Sequence, residues 1–187
     1  GMSGLWCTSL GFSEPELVNA AIDQFNKLPF YHSFAGKTVD PAIELAEMLI
    51  AHAPPAGKGR MSKVFFAASG SEANDTAMKM VWYYNAALGR PEKRKIISRK
   101  KGYHGVTMAT ASMTALAYAQ DGFGLPLDFV KHTTAPDYYN GARPGEREDQ
   151  FASRCADELE ALILLEGPDT VAALFAEPVM GAGGVII

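Results

Sequence analysis

The chain has 187 residues, of which 48% are hydrophobic and 20% charged, and its formal net charge is −4. That length accommodates one domain with a sizeable core, and that balance excludes a disordered chain. The acidic balance also argues against nucleic acid or an anionic membrane as the main partner.

No apolar run approaches the roughly 18 residues that a membrane helix needs. The two cysteines, Cys7 and Cys155, form no CxxC pair, and His32, His52, His104 and His132 have no metal-ligand spacing. Neither a disulfide framework nor a metal site is indicated. A cytoplasmic, reducing setting is the default expectation.

In chain order, Glu16 to Phe25 carries apolar residues at helical spacing, led in by Ser13-Glu14-Pro15. A loop-like aromatic stretch follows, and Asp40-Pro41 then opens a second helix with Asp40 as its expected N-cap. Pro54-Pro55-Ala56-Gly57 breaks it. Lys63-Val64-Phe65-Phe66 reads as a short strand that stops at Ser69-Gly70-Ser71. A long helix follows, with Ala73, Ala77, Val81, Tyr84 and Leu88 in period, ended by Gly89 and Pro91. Lys95 to Ser98 is a short buried strand, Gly105 to Ala119 is helical, and Phe129 to Thr134 is another strand. Ala135 to Gly145 is irregular, and Phe151 to Leu165 is an amphipathic helix. Val171 to Ala176 is a continuous apolar run, as expected of a strand covered on both faces. Alternating strands and helices imply an α/β unit with a mostly parallel sheet.

The chemistry concentrates at strand ends. A Ser-Gly-Ser turn opening a helix leaves backbone N–H groups unpaired beside a hydroxyl, and an anion can dock there. Gly70 lets the backbone approach it closely. The structural alternative is that Ser69 or Ser71 merely caps the helix, with Glu72 and Asp75 complementing its dipole. Gly102 to Gly105 follows the second expected strand, and Glu177-Pro178 follows the last. In α/β sheets ligands lie beyond the carboxyl ends of the strands, so these three segments point to one pocket. Neither a Walker-type nor a dinucleotide-binding glycine pattern occurs.

Ser69-Gly70-Ser71-Glu72-Ala73-Asn74-Asp75 resembles the phosphate cup of class III pyridoxal-phosphate aminotransferases. Lys101-Gly102-Tyr103-His104-Gly105 resembles that family's Tyr-His-Gly segment, Phe175 to Gly184 its Glu-Pro segment, and Gly1 to Cys7 its N-terminal segment. The resemblance covers essentially the whole chain and is nearest to the omega-amino acid:pyruvate (amine:pyruvate) branch. It implies the fold-type I major domain, a three-layer, mostly parallel sheet, truncated here and preceded by a small helical segment. The expected division is 1–58 for the N-terminal segment and 59–187 for the first half of the cofactor-binding domain.

For individual residues, the resemblance implies that Ser69, Gly70 and Ser71 hold the cofactor phosphate. It also implies that Tyr103 stacks on the pyridine ring and that Glu177 lies beside it. The structural alternatives are that Tyr103 is a plain core aromatic and Glu177 a strand-end carboxylate satisfied by backbone N–H groups or water. His104 either touches the cofactor or only braces the turn. Trp6 resembles an aromatic of the substrate pocket, and Phe34 one that reaches into a neighbouring subunit's pocket. Both have the alternative of ordinary core residues. Ala182 stands where ornithine- and GABA-type relatives often carry a Glu, which turns the expectation towards amine:pyruvate chemistry.

The resemblance further implies pyridoxal 5′-phosphate as cofactor, an amine donor and pyruvate as small-molecule partners, and a homodimer or larger homo-oligomer. The family places its pyridine-binding Asp and its Schiff-base Lys later than Ile187. No catalytic residue is therefore expected in this sequence, which reads as a fragment. The alternative is a module that folds or dimerises without turnover.

Overall fold

The computed structural model describes residues 3–55 and 59–187. It divides into two compact units, Gly1–Val64 and Phe65–Ile187.

The N-terminal unit holds two helices, α1 (Pro15–Lys27) and α2 (Asp40–His52). Proline at the first helical position of α1 costs no hydrogen bond, because that N–H has no intrahelical acceptor. Glu14 precedes it as the N-cap, its carboxylate accepting from the Glu16 N–H. Asp40 is not the cap of α2. Val39 occupies the N-cap without a side-chain bond, and Asp40 is the first helical residue. Its carboxylate is drawn instead to Lys27 Nζ at 3.0 Å. Neither helix contains a buried residue.

The C-terminal unit begins with α3 (Gly70–Ala87), followed by β1 (Lys95–Arg99), α4 (Met108–Met113), α5 (Ala117–Gln120) and β2 (Val130–Thr133). It continues with α6 (Tyr138–Gly141), α7 (Glu148–Glu166) and β3 (Val171–Phe175). The three strands form one parallel sheet in the order β2-β1-β3. Central β1 is covered on both faces, so Ile96 and Ile97 are fully buried. Each such side chain is worth about 2 kcal/mol in transfer from water. Met78 of α3, Met113 of α4 and Val130 of β2 close over Ile96, with Trp82, Phe129 and Phe175 packed against them.

Four further expectations need correction. Residues 61–67 form no strand, and Phe65 and Phe66 are exposed. A β-prone run becomes a strand only with a ladder partner, and among the described residues both edges of β1 are taken by β2 and β3. β3 is an edge strand, half-buried, with Leu174 42% exposed, instead of a strand covered on both faces. The helix expected over 105–119 is two short helices, α4 and α5. It breaks at Thr114, whose backbone is extended and whose hydroxyl bonds back to the Thr110 and Gly105 carbonyls. Within the irregular stretch, Tyr138–Gly141 forms one turn of helix capped by Asp137.

Candidate cofactor site

At the N-terminus of α3, Ser69 is extended and its Oγ accepts from the Glu72 N–H at 3.2 Å. Glu72 turns its own carboxylate back to the Ala68 N–H at 2.9 Å. One orphan donor of the first turn, the Glu72 N–H, is thereby satisfied, and the N–H of Ala68 just before the cap is held as well. The Gly70 and Ser71 N–H groups donate to none of the described residues. A Cβ placed on Gly70 would meet nothing within 4 Å. The helix therefore presents two free donors and the positive end of its dipole to an open space. Ser69 serves as the cap, and the hydroxyl of Ser71 is engaged elsewhere, accepting from the Val106 N–H at 3.0 Å.

That bond leads to the loop after β1. Lys101 takes a left-handed conformation, its φ being 64°. Gly105 has φ 139°, and a Cβ there would lie 2.5 Å from both Ser71 Oγ and Thr110 Oγ1. Glycine is required at that position, because the loop backbone packs directly onto the first turn of α3.

Glu177, just beyond β3, reaches the same loop. Its Oε1 accepts from the Tyr103 N–H at 2.8 Å and its Oε2 from the Gly181 N–H at 3.1 Å. Arg99 Nη1 donates to the Glu177 carbonyl at 3.0 Å. The carboxylate is thus held by backbone donors and fixes the Tyr103 backbone. Tyr103 as a whole is 39% exposed.

His104 is buried, with 8% of its surface exposed. Its N–H donates to Thr114 Oγ1 at 2.8 Å, and its carbonyl accepts from Asn74 Nδ2 at 2.8 Å. Its Nε2 has no hydrogen-bond partner among the described residues. Burial lowers its pKa, the Glu177 carboxylate opposes that, and His132 adds to it. His132 is lowered too, mainly by burial against the opposing bonds of the Ser112 and Met113 carbonyls. Both rings are predominantly neutral at pH 7.

Ser69, Gly70, Ser71, Tyr103, His104 and Glu177 therefore belong to one contiguous arrangement in the C-terminal unit. Two of its segments follow the carboxyl ends of β1 and β3. The third opens α3 from a non-strand segment, which corrects the expectation of a strand before it. Ala182 is exposed in the turn closed by the Met180–Ile186 bridge. Trp6 and Phe34, 65% and 78% exposed, belong to the N-terminal unit.

The motif reading gave no role to Asn74, Thr107 or Thr114, and gave Asp75 only that of complementing the dipole of α3. Ser71, Asn74, Asp75 and Met78 lie at i, i+3, i+4 and i+7, on one face of α3. Three polar residues in register with a core methionine are the signal that this face meets protein and not water.

The class III aminotransferase family model matches residues 1–187. The chain is 57% identical over 185 residues to the "Probable gamma-aminobutyrate transaminase 2, mitochondrial" of Oryza sativa subsp. indica, covering 99% of this chain and 37% of that protein. It is 54% identical over 186 residues to the gamma aminobutyrate transaminase 2 of Solanum lycopersicum, covering 100% and 40%. The omega transaminase of Pseudomonas jessenii, solved in complex with PMP, superposes with a TM-score of 0.95 at 57% identity, over 100% of this chain and 40% of that one. The chain thus spans about 40% of the length of the relatives it matches. With the match running from first residue to last and the fold shared at high identity, the chain belongs to the class III aminotransferases, a family whose cofactor is pyridoxal 5′-phosphate.

Proposed function

We propose that this chain supplies the phosphate cup and ring support of a transaminase that moves an amino group from an omega-amino acid or primary amine to pyruvate. The observation that carries this reading is the convergence of three elements in a chain of this family: the free Gly70 and Ser71 N–H groups, the Tyr103–Gly105 loop and Glu177. The cofactor, when bound, supplies an electron sink that makes the donor's carbon-bound proton acidic.

The residues fit such a group. Two donors without partners at a helix N-terminus suit a phosphate dianion, and the absent Cβ of Gly70 leaves it room. Tyr103 offers an aromatic face, and offset stacking on a pyridine ring is worth about 1 kcal/mol. His104, neutral and buried, braces the loop through its backbone bonds to Thr114 and Asn74.

Ala182 favours amine:pyruvate chemistry in this reading, whereas the curated relatives bear the name of gamma-aminobutyrate, itself an omega-amino acid. The donor class therefore includes both. Trp6 and Phe34 are proposed, as the resemblance implies, as substrate-pocket aromatics of the complete enzyme, Phe34 reaching the pocket of a neighbouring copy in a homodimer or larger assembly.

A second reading, a non-catalytic module, draws on the lysines. Lys93, Lys95 and Lys101 commit their Nζ atoms to Pro168, Glu166 and Asp137. Those three of the ten lysines are not poised to act as nucleophiles. Titration of the chain with pyridoxamine 5′-phosphate tests the cup. Gly70→Val fills the open space, and the expected result is a loss of affinity of about tenfold or more. Unchanged affinity refutes the cup. In the same preparation, amine:pyruvate turnover above the free-cofactor rate would refute the non-catalytic reading.

A further inference from the structure

Tyr103 has its backbone fixed while its ring stands half-free. No aromatic partner packs on the ring among the described residues. The main chain of Tyr103 and His104 sets where that ring can stand. Three bonds hold that main chain. Glu177 accepts from the Tyr103 N–H at 2.8 Å, Thr114 Oγ1 accepts from the His104 N–H at 2.8 Å, and Asn74 Nδ2 donates to the His104 carbonyl at 2.8 Å.

The three anchors differ in origin. Glu177 follows β3, and Thr114 closes α4. Asn74 comes from α3, one turn after Gly70, whose N–H belongs to the proposed cup. The other bonds from α3 reach past the histidine: Ser71 Oγ holds the Val106 N–H at 3.0 Å, and Asp75 Oδ1 accepts from Thr107 Oγ1 at 2.9 Å. Asn74 is thus the link from the cup helix to the residue next to Tyr103.

We propose that Asn74 is a positioning residue, whose amide holds the His104 carbonyl and so fixes the distance between the anion cup and the Tyr103 ring. The proposal rests on the cofactor reading above, because it gives a purpose to the separation of cup and ring. A phosphate alone needs only the cup. A phosphorylated pyridine needs the cup and the ring at one spacing, so preorganisation of that spacing adds to its affinity. The amide is suited to the task because it donates without charge. A carboxylate at the same position would face the His104 carbonyl with no proton to share.

The test compares Asn74→Ala with Asn85→Ala. Asn85 is a buried residue of the same helix, and its amide bonds only the Val81 carbonyl one turn back. It reports what loss of a buried asparagine does to α3 without touching the loop. Amide hydrogen exchange and calorimetric titration with inorganic phosphate and with pyridoxamine 5′-phosphate are read on the same chain.

Asn74→Ala is expected to speed exchange across residues 103–107 about tenfold, the factor that one lost hydrogen bond corresponds to. It should weaken pyridoxamine phosphate about tenfold and leave inorganic phosphate within about twofold, and a further Tyr103→Ala change should then cost little more. Asn85→Ala should do none of this, whatever it costs in stability. Unaltered exchange at 103–107, equal losses for both ligands, or full additivity with Tyr103→Ala each overturn the proposal while leaving the cofactor reading standing. Wild-type chain that binds neither ligand overturns both.

Discussion

Helices α1 and α2 of the N-terminal unit contain no buried residue, whereas α3, α4 and β1 of the C-terminal unit enclose Met78, Met113, Ile96 and Ile97. Both regions carry amphipathic patterning of the same kind. Val18, Ile22 and Phe25 recur along α1 at the same i, i+4 and i+7 spacing as the inward-facing Met78, Trp82 and Asn85 of α3. Periodicity states which face of a helix is apolar, and not whether anything covers it. In the C-terminal unit the central strand supplies a surface with two faces, and helices settle on it. The N-terminal unit has two 13-residue helices and no sheet among its described residues, so Leu17 and Phe25 stay exposed.

The largest expected effect separates these regions directly. Met113→Ala removes a fully buried side chain that touches the Ile96 cluster, and such truncations cost about 2–5 kcal/mol. Leu17→Ala removes a side chain that is 60% exposed, and alanine is the better helix former, so the change should stay within about 0.5 kcal/mol. Urea melts of the two variants give the comparison. Equal losses would mean that Leu17 is covered in solution and that the contrast between the units is false.

Much of the secondary structure is legible in the sequence. α1, α2, α3 and α7 follow from their spacing and breakers, and β1, β2 and β3 from short apolar runs between turn residues. What escaped the sequence was set by partners distant in the chain. Residues 63–66 have strand composition and lack a ladder. Thr114 ends α4 because its hydroxyl is claimed by the His104 N–H and the Gly105 carbonyl, and no local propensity encodes that. In the site, Gly70, Tyr103 and Glu177 stood out because glycine, aromatic and acid at strand or helix ends are chemically conspicuous. Asn74 and Asp75 did not, since a polar residue in a helix ordinarily faces water. Only their alignment with Met78 marks them as inward.

A smaller effect concerns pH, and it too belongs to one unit. His104 and His132 both have pKa values lowered from 6.5, mainly by burial. Above the unfolded value both states are neutral, and stability does not depend on these groups. As pH falls through about 6.5, the unfolded chain takes up protons that the folded chain refuses. Stability is therefore lost progressively from there towards the lower folded values, then levels off as far as these groups are concerned. The groups facing them act in known directions: Glu177 opposes the shift of His104, and Lys100 adds to that of His132. Melting temperatures between pH 7.5 and 5.5, a range of about one unit either side of that value, should fall with pH in the wild type. They should fall less steeply in His132→Gln, whose amide can still donate to the Ser112 carbonyl. An identical slope in the variant would show that His132 titrates alike in both states.

The smallest expected effect returns to the N-terminal unit. Lys27 Nζ and Asp40 Oδ2 lie 3.0 Å apart, a distance that suggests a staple between the end of α1 and the start of α2. Exposure argues otherwise. The two side chains retain 65% and 69% of their accessible surface, and water and salt screen such a pair while both side chains lose freedom by meeting. Asp40 also sits at the first helical position of α2, where its charge complements the dipole whether or not Lys27 is present. Lys27→Ala should therefore lower the melting temperature by less than about 1 °C, and 0.5 M salt should change that difference little. Asp40→Ala should cost about as much as Lys27→Ala, because each removes the pair and one dipole interaction, Lys27 lying in the last turn of α1 and Asp40 in the first turn of α2. If either variant lowers the melting temperature well beyond that and salt reproduces the loss, the pair is stapling the two helices, and the N-terminal unit has a fixed internal geometry that its lack of buried residues conceals.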